Sequence, residues 1–282
     1  MTAIGAMIRR EIAPERVPAH ARALAPHFDE LWVVEDVPYA GGISQLTEVL
    51  AATDDVVVGH GLAPAPFRNP MALAMEWATV ERRHPGRLAC GLGHGVQDWM
   101  QAIGETVDSP LTLLEETFVV VHGLLAGQDS DIDGRYRNIS GYELEFPPAR
   151  PPPISLGVVG PKSLHLSGQI ADGTILPEGF GPDEIIGARA RIDEGRADAA
   201  RRDHHRLTVF VAFFVGDPTA KPPTPPGAID GWQAVSRSPA GVADQVRSVI
   251  DTQVDSVVLV PLGDPDDQLG QASAEILPRL RD

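Results

Sequence analysis

The chain has 282 residues, and 39 Asp and Glu against 23 Lys and Arg give it a net charge of −16. That balance argues against nucleic acid or an anionic membrane surface as a partner, because both require a basic face. A single cysteine, Cys90, excludes a disulfide framework and a thiolate metal cluster; with no leader-like start and no run of about 18 apolar residues, the sequence reads as that of a soluble, cytoplasmic protein.

Short apolar runs rich in β-branched residues alternate with longer amphipathic segments, the pattern of a βα protein. The first strand is predicted over Ala3 to Ile8 and the second over Glu30 to Glu35, leaving Glu35 and Asp36 as adjacent carboxylates at a strand end. Val56 to Gly59 is the third, followed by His60, Gly61, Leu62 and Arg68. Asn69-Pro70 then opens a helix from Met71 to Arg83, with a capping side chain before a proline that needs no donor. Leu88 to Gly91 is the fourth strand and runs into "GLGHG", which places Gly91, Gly93, His94 and Gly95 at its end and Gln97 and Trp99 just beyond. Ala126 to Pro153 is too long for a simple connection and reads as a hairpin with a proline-rich return.

Ile154 to Val158 is the fifth strand, and after a Gly160-Pro161 break a helix runs from Lys162 to about Gln169. Gly173 to Leu176 is the sixth, with Glu178 past its end and a helix from Pro182 to about Arg202. Leu207 to Val215 is the seventh, and Asp217 to Gly231 reads as a mobile, proline-rich rim loop. Ser238-Pro239 caps a helix with Val242, Val246 and Ile250 on one face. Ser256 to Pro261 is the eighth strand, and a last helix, Pro265 to Leu280, closes the ring. Eight βα units in a chain of this length imply one domain over residues 1–282, a single TIM (β/α)8 barrel with two rim insertions.

In that fold the active site lies at the C-terminal ends of the strands. Of the nine histidines only His60 and His94 directly follow strands. His204 and His205 are adjacent, do not converge on one ion and have no third ligand, so no metal is expected. Neighbouring residues in a strand point in opposite directions, so at most one of Glu35 and Asp36 faces the mouth. Glycines at strand ends admit a flat ligand close to the backbone, although those of "GLGHG" could equally shape a turn. A glycine turn opening into the helix at Pro161 leaves backbone N–H groups at the positive end of the helix dipole, a seat for phosphate. The two lysines, Lys162 and Lys221, fall outside the barrel interior, which removes a Schiff-base mechanism, and no serine elbow, zinc-protease helix or Walker loop is present. A phosphate cradle with few acid–base groups suits a cofactor that carries the chemistry itself.

The stretches "APFRNPMALAMEWATVERRHPGRLACGLGHG" and "PPISLGVVGPKSLHLSGQIADGTIL" strongly resemble the luciferase-like monooxygenase superfamily, and most closely its deazaflavin branch, typified by methylenetetrahydromethanopterin reductase. The likeness runs from "DELWVVED" to "DSVVLVPLG". It implies a TIM barrel that binds FMN or coenzyme F420, with Asp36 or Glu35 beside the reactive edge of the ring. It also implies a non-proline cis peptide backing the ring at Gly61-Leu62, and a loop of Gly93, His94 and Gly95 beside the ring. Val159, Gly160, Pro161, Lys162 and Ser163 would cradle the cofactor phosphate. The Gly-Pro-Lys turn resembles the deazaflavin branch more than the serine-richer FMN branch, so coenzyme F420 is the expected cofactor. The activity implied is hydride transfer between the deazaflavin C5 and a small organic substrate, with Asp36 and His60, then Glu35 or His94, as proton-transfer groups. Arg68, Trp99 and Glu178 are placed at the substrate wall by position. An FMN-dependent monooxygenase and a non-catalytic cofactor-binding barrel are the alternatives, and the resemblance implies a homodimer. Glucose-6-phosphate dehydrogenases of this branch carry a histidine directly after the strand-two aspartate; here that residue is Val37, so their activity is not transferred.

Overall fold

Strand after strand in this chain is buried on both faces, as parallel strands sheathed by helices must be. The structure, a computed structural model, describes residues 1–217 and 237–281. The strands are β1 (Ala3–Ile8), β2 (Glu30–Val33), β3 (Val57–Pro64) and β4 (Leu88–Gly93), then a hairpin of β5 (Ser130–Asp133) and β6 (Asn138–Tyr142). After it come β7 (Ile154–Gly157), β8 (Gly173–Leu176), β9 (Arg206–Phe213) and β10 (Ser256–Pro261). The hairpin pairs only with itself, and the other eight strands close into a parallel barrel in the order β1-β2-β3-β4-β7-β8-β9-β10. In such a ring β2 and β8 lie on opposite walls.

The surrounding helices are α1 (Val17–Leu24), α2 (Gly42–Ala52), α3 (Pro70–Arg83), α4 (Gln97–Ile103) and α5 (Pro110–Leu125). They continue with α6 (Pro161–Ile170), α7 (Pro182–Asp198), α8 (Pro239–Ile250), α9 (Pro265–Gln271) and α10 (Leu277–Arg281). Proline in the first turn preceded by a short polar side chain recurs. Asn69 accepts from the Met71 N–H at 2.9 Å, Ser238 from Gly241 at 3.2 Å and Asp264 from Asp267 at 3.0 Å, each satisfying a donor the helix cannot. Helices α6 and α7 approach at backbone distance. A Cβ on Gly168 would stand 2.0 Å from the Ile192 carbonyl oxygen, and one on Gly195 2.0 Å from that of His165.

Inside the barrel Trp32, Phe210, Met7, Ile175, Val258 and Val260 form a core of their own, separate from the larger one between strands and helices. Beneath them the buried Glu30 carboxylate accepts from Trp32 Nε1 at 2.9 Å and Ser256 Oγ at 2.8 Å and pairs with Arg206. A buried carboxylate is tolerable only with such a set of partners, and together these groups seal the lower end of the barrel.

The expected barrel and its strands are thus present, with three local differences. Strand β2 stops at Val33, whereas β3 runs past Gly59 to Pro64 through a register shift between His60 and Ala63. The last helix is broken by a π-helical turn over Ala272–Ile276. The rim loop expected over Asp217 to Gly231 lies, apart from Asp217, outside the described residues, and Lys221 with it. No helix among the described residues is long and apolar enough to cross a membrane.

Candidate active site

At the C-terminal end of the barrel a cavity of about 380 Å³ opens above this interior core. Its floor is made by Met7, Ile175, Phe210, Val260 and Leu62, and charged and aromatic residues from the strand ends stand around it. Leu62 reaches the floor through a non-proline cis peptide, Gly61–Leu62, located at the β3 register shift. Its side chain lies where side chains at three positions on β4 and β7 would otherwise be. A Cβ on Gly157 would come within 2.0 Å of Leu62 Cδ1, one on Gly93 within 2.7 Å of the same atom, and one on Gly91 within 2.7 Å of Leu62 Cδ2. Gly91 and Gly93 therefore clear space for Leu62 and not directly for a flat ligand, which corrects the sequence reading of those glycines.

The two adjacent carboxylates part, although both lie beyond the end of β2 and strand alternation does not reach them. Asp36 turns into the cavity and receives Arg10 Nη1 at 2.5 Å, while the Arg10 guanidinium lies 5.2 Å from the Tyr39 ring and 5.5 Å from that of Trp99. Burial raises the Asp36 carboxyl above its ordinary value, and Arg10 opposes that rise. Glu35 touches the cavity edge, but its carboxylate is gripped by Arg68 at 2.9 and 2.5 Å and by the Gly42 N–H at 3.2 Å. Behind it His60 is fully buried and absent from the cavity wall. Trp77 Nε1 donates to His60 Nδ1 at 3.3 Å, so the ring proton sits on Nε2, 3.7 Å from Glu35. Burial pushes the His60 pKa down to about 4, and it is a neutral ring within a packed network. The structure thus removes His60 from the proposed proton-transfer set and Arg68 from the proposed substrate wall: Arg68 holds Glu35, and His60 packs behind it.

Around the rest of the rim, His94, Gly95 and Trp99 line the cavity, and His94 Nδ1 meets the Pro110 carbonyl oxygen at 3.2 Å. Burial lowers the His94 pKa. Gly157, Val158 and Val159 lead from the cavity to Gly160, the N-cap of α6, where no side chain caps the helix. Ser163 Oγ donates to the Gly160 carbonyl at 3.0 Å, so that hydroxyl is already committed, and Lys162 is exposed. Glu178 stands on the β8 wall, facing across the cavity toward Asp36, and burial raises its carboxyl. His204 and His205 turn to different partners, Asp255 at 2.9 Å and Thr174 at 2.8 Å.

A barrel with a cis-peptide bulge on its third strand and an uncapped helix after its fifth barrel strand invites comparison with known proteins. The family model described as luciferase-like monooxygenase matches residues 1–221. The chain belongs to this luciferase-like family. A 5,10-methylenetetrahydromethanopterin reductase from Methanolobus tindarius is 30% identical over 207 residues, covering 72% of this chain and 63% of that protein. An F420-dependent hydroxymycolic acid dehydrogenase from Mycobacterium tuberculosis is 30% identical over 205 residues, covering 70% of this chain and 54% of the relative. The chain thus spans less than two thirds of the length of these relatives. Among solved structures, the coenzyme F420-dependent tetrahydromethanopterin reductase from Methanopyrus kandleri superposes with a TM-score of 0.84 over 99% of both chains, at 18% identity. At that identity the likeness is one of fold.

In this luciferase-like chain two site residues escape the sequence reading: Arg9 and Arg10, both in the cavity wall. The signal was present, since "IRRE" sets two guanidiniums directly after the first strand, at the catalytic end of the barrel.

Proposed function

We propose that this chain is a coenzyme F420-dependent oxidoreductase acting on a small organic substrate. The observation that carries the proposal is one cavity with the Gly61–Leu62 step in its floor and the uncapped N-terminus of α6 at its edge. The residues fit the group: apolar Leu62, Ile175 and Phe210 would back a ring, and the α6 backbone N–H groups would hold a phosphate. Relatives that carry F420 in their names, by sequence and by fold, point the same way.

Bound coenzyme F420 supplies a hydride donor or acceptor at its C5. The chain itself would bind and orient it: Leu62 would back the ring, Val159 to Ser163 would hold the phosphate, and Asp36 and Trp99 would line the substrate space. Holding reactants in such a geometry is where much of the rate would arise.

The test is calorimetric titration with coenzyme F420 and with FMN, repeated on Gly160→Asp. A Cβ on Gly160 meets only Ser163 Oγ, at 3.4 Å, and the backbone there is extended, so the variant folds and its carboxylate caps the helix where the phosphate would sit. F420 affinity is expected to fall at least about tenfold, or about 1.4 kcal/mol. Undiminished affinity would remove the cradle, and binding of FMN but not F420 would replace the cofactor.

The proposal extends to a homodimer. Met75, Tyr142 and Phe146, exposed by 55%, 68% and 65%, flank an apolar groove between α3 and the β5–β6 hairpin that a second copy would cover. Light scattering that returns the 30.1 kDa of one chain at micromolar concentration would refute the pairing.

A further inference from the structure

Six ionisable side chains line the cavity: Arg9, Arg10, Glu35, Asp36, His94 and Glu178. Five of them already have a polar partner on another residue. Arg9 grips Glu11 through Nε at 3.0 Å and Nη2 at 2.9 Å, and Arg10 is shared by Asp36 at 2.5 Å and Glu11 at 3.3 Å. Glu35 is held by Arg68, and His94 Nδ1 meets the Pro110 carbonyl at 3.2 Å. Among the described residues Glu178 makes no ion pair; its carboxyl is bonded to its own backbone N–H, and Arg9, Arg10 and Asp36 are the charged groups that act on it, the arginines favouring its anion and Asp36 opposing it. It follows β8, directly across the ring from β2 and Asp36, so a substrate lying on the floor at Leu62 has the paired carboxylate on one side and the unpaired carboxyl on the other.

We propose that Glu178 is the proton-transferring residue of this site, and that the substrate is a neutral molecule presenting a carbonyl or imine. The inference rests on the oxidoreductase reading above. Neutrality follows because both arginines of the wall are already neutralised by Glu11 and Asp36, which among the described residues leaves no spare cation there for an anionic group. In the reductive direction a hydride from the reduced deazaflavin joins the carbonyl carbon and the C=O π pair moves to oxygen. The Glu178 O–H proton passes to that oxygen, giving an alcohol and a Glu178 carboxylate that water at the open mouth reprotonates. Asp36 is less suited to this part because its carboxyl is already engaged by Arg10 Nη1 at 2.5 Å. The division of two carboxyls into one paired anion and one neutral acid by unlike surroundings is a recurrent way to assign acid–base roles. Burial of the Glu178 carboxyl, which disfavours its anion, agrees with the role.

The experiment has two arms. In the first, carboxyl carbons of the cofactor-free protein are followed by 13C NMR against pH, with Glu178→Gln and Asp36→Asn identifying the two signals. Glu178 is expected to titrate above the ordinary glutamate value of about 4.3 and above Asp36; a Glu178 midpoint at or below that of Asp36 overturns the proposal. In the second, cyclohexanone binding to the F420-loaded protein is measured by saturation-transfer NMR. Glu178→Met is expected to weaken it at least tenfold, whereas Glu178→Gln, which keeps a hydrogen-bond donor, retains it. Equal binding by Glu178→Met, or no ketone binding by the wild type, overturns the assignment. Failure of F420 to bind would instead fell the oxidoreductase reading, while the titration arm, which needs no cofactor, still decides the state of Glu178.

Discussion

Replacing Gly195 by alanine is expected to lower the melting temperature by about 5 °C, while Gly187→Ala in the same helix raises it by about 1–2 °C. Gly195 sits where α7 crosses α6, and its new Cβ would stand 2.0 Å from the His165 carbonyl oxygen and 2.8 Å from the carbonyl carbon. Those are backbone atoms of a helix and cannot swing aside as a flexible side chain would. The helices must separate, at a cost of about 3 kcal/mol, the upper part of the usual overpacking range. Gly187, two turns earlier, is exposed with nothing near its would-be Cβ. Alanine there only restricts the unfolded chain and favours the helix, by about 0.5–1 kcal/mol. Thermal denaturation of both variants followed by circular dichroism decides the matter, and equal melting points would sink the account of the crossing. Because α6 begins at the proposed phosphate seat, F420 affinity should fall in Gly195→Ala and not in Gly187→Ala.

Stability should also fall steeply as pH is lowered from about 6.5 to 4, with His60 responsible for a large share. The native pKa of His60 is depressed to about 4 by complete burial, against 6.5 in the unfolded chain. Above pH 6.5 the ring is neutral in both states and exacts nothing. Below it the unfolded chain takes up a proton that the native ring refuses, so the native state loses ground, by about 3 kcal/mol at the lower end of the window. Urea titrations at a series of pH values, compared between wild type and His60→Gln, isolate this contribution from that of the carboxylates. A wild-type curve parallel to that of the variant across the window would show that His60 does not carry it. The same neutrality lets His60 fill the space behind Glu35 without repelling Arg68.

Most of the barrel was legible because each strand is a short apolar run ended by a recognisable turn. Ala3–Ile8, Gly173–Leu176 and Ser256–Pro261 coincide with their predicted limits. Strand β3 was cut short because "GHGLAP" has the composition of a turn; only its pairing with β4 and the cis step show that it continues as strand. The site was less legible, for a physical reason. Sequence places a residue at a strand end, but which way its side chain points depends on register and on which partner is in reach. Adjacent carboxylates were correctly expected to diverge, yet the residue that would claim the inner one, Arg10, comes from a different strand. His60 and Arg68 had the right address along the chain and faced Glu35 instead of the cavity. The glycines of "GLGHG" were noticed for their lack of side chains, and the leucine that uses the space is some thirty residues away.

The sealed lower end of the barrel, with Trp32 and Phe210 above Glu30 and its hydrogen-bonded partners, leaves the upper mouth as the doorway to the cavity on the floor at Leu62. Among the described residues this is a blind vessel with one door, and such a vessel imposes a queue. Whatever lies deeper must enter first and leave last, and a ligand lodged above it acts as a stopper. Steady-state kinetics should therefore follow a compulsory order, and a dead-end analogue of the outer ligand should slow escape of the inner one instead of competing with it.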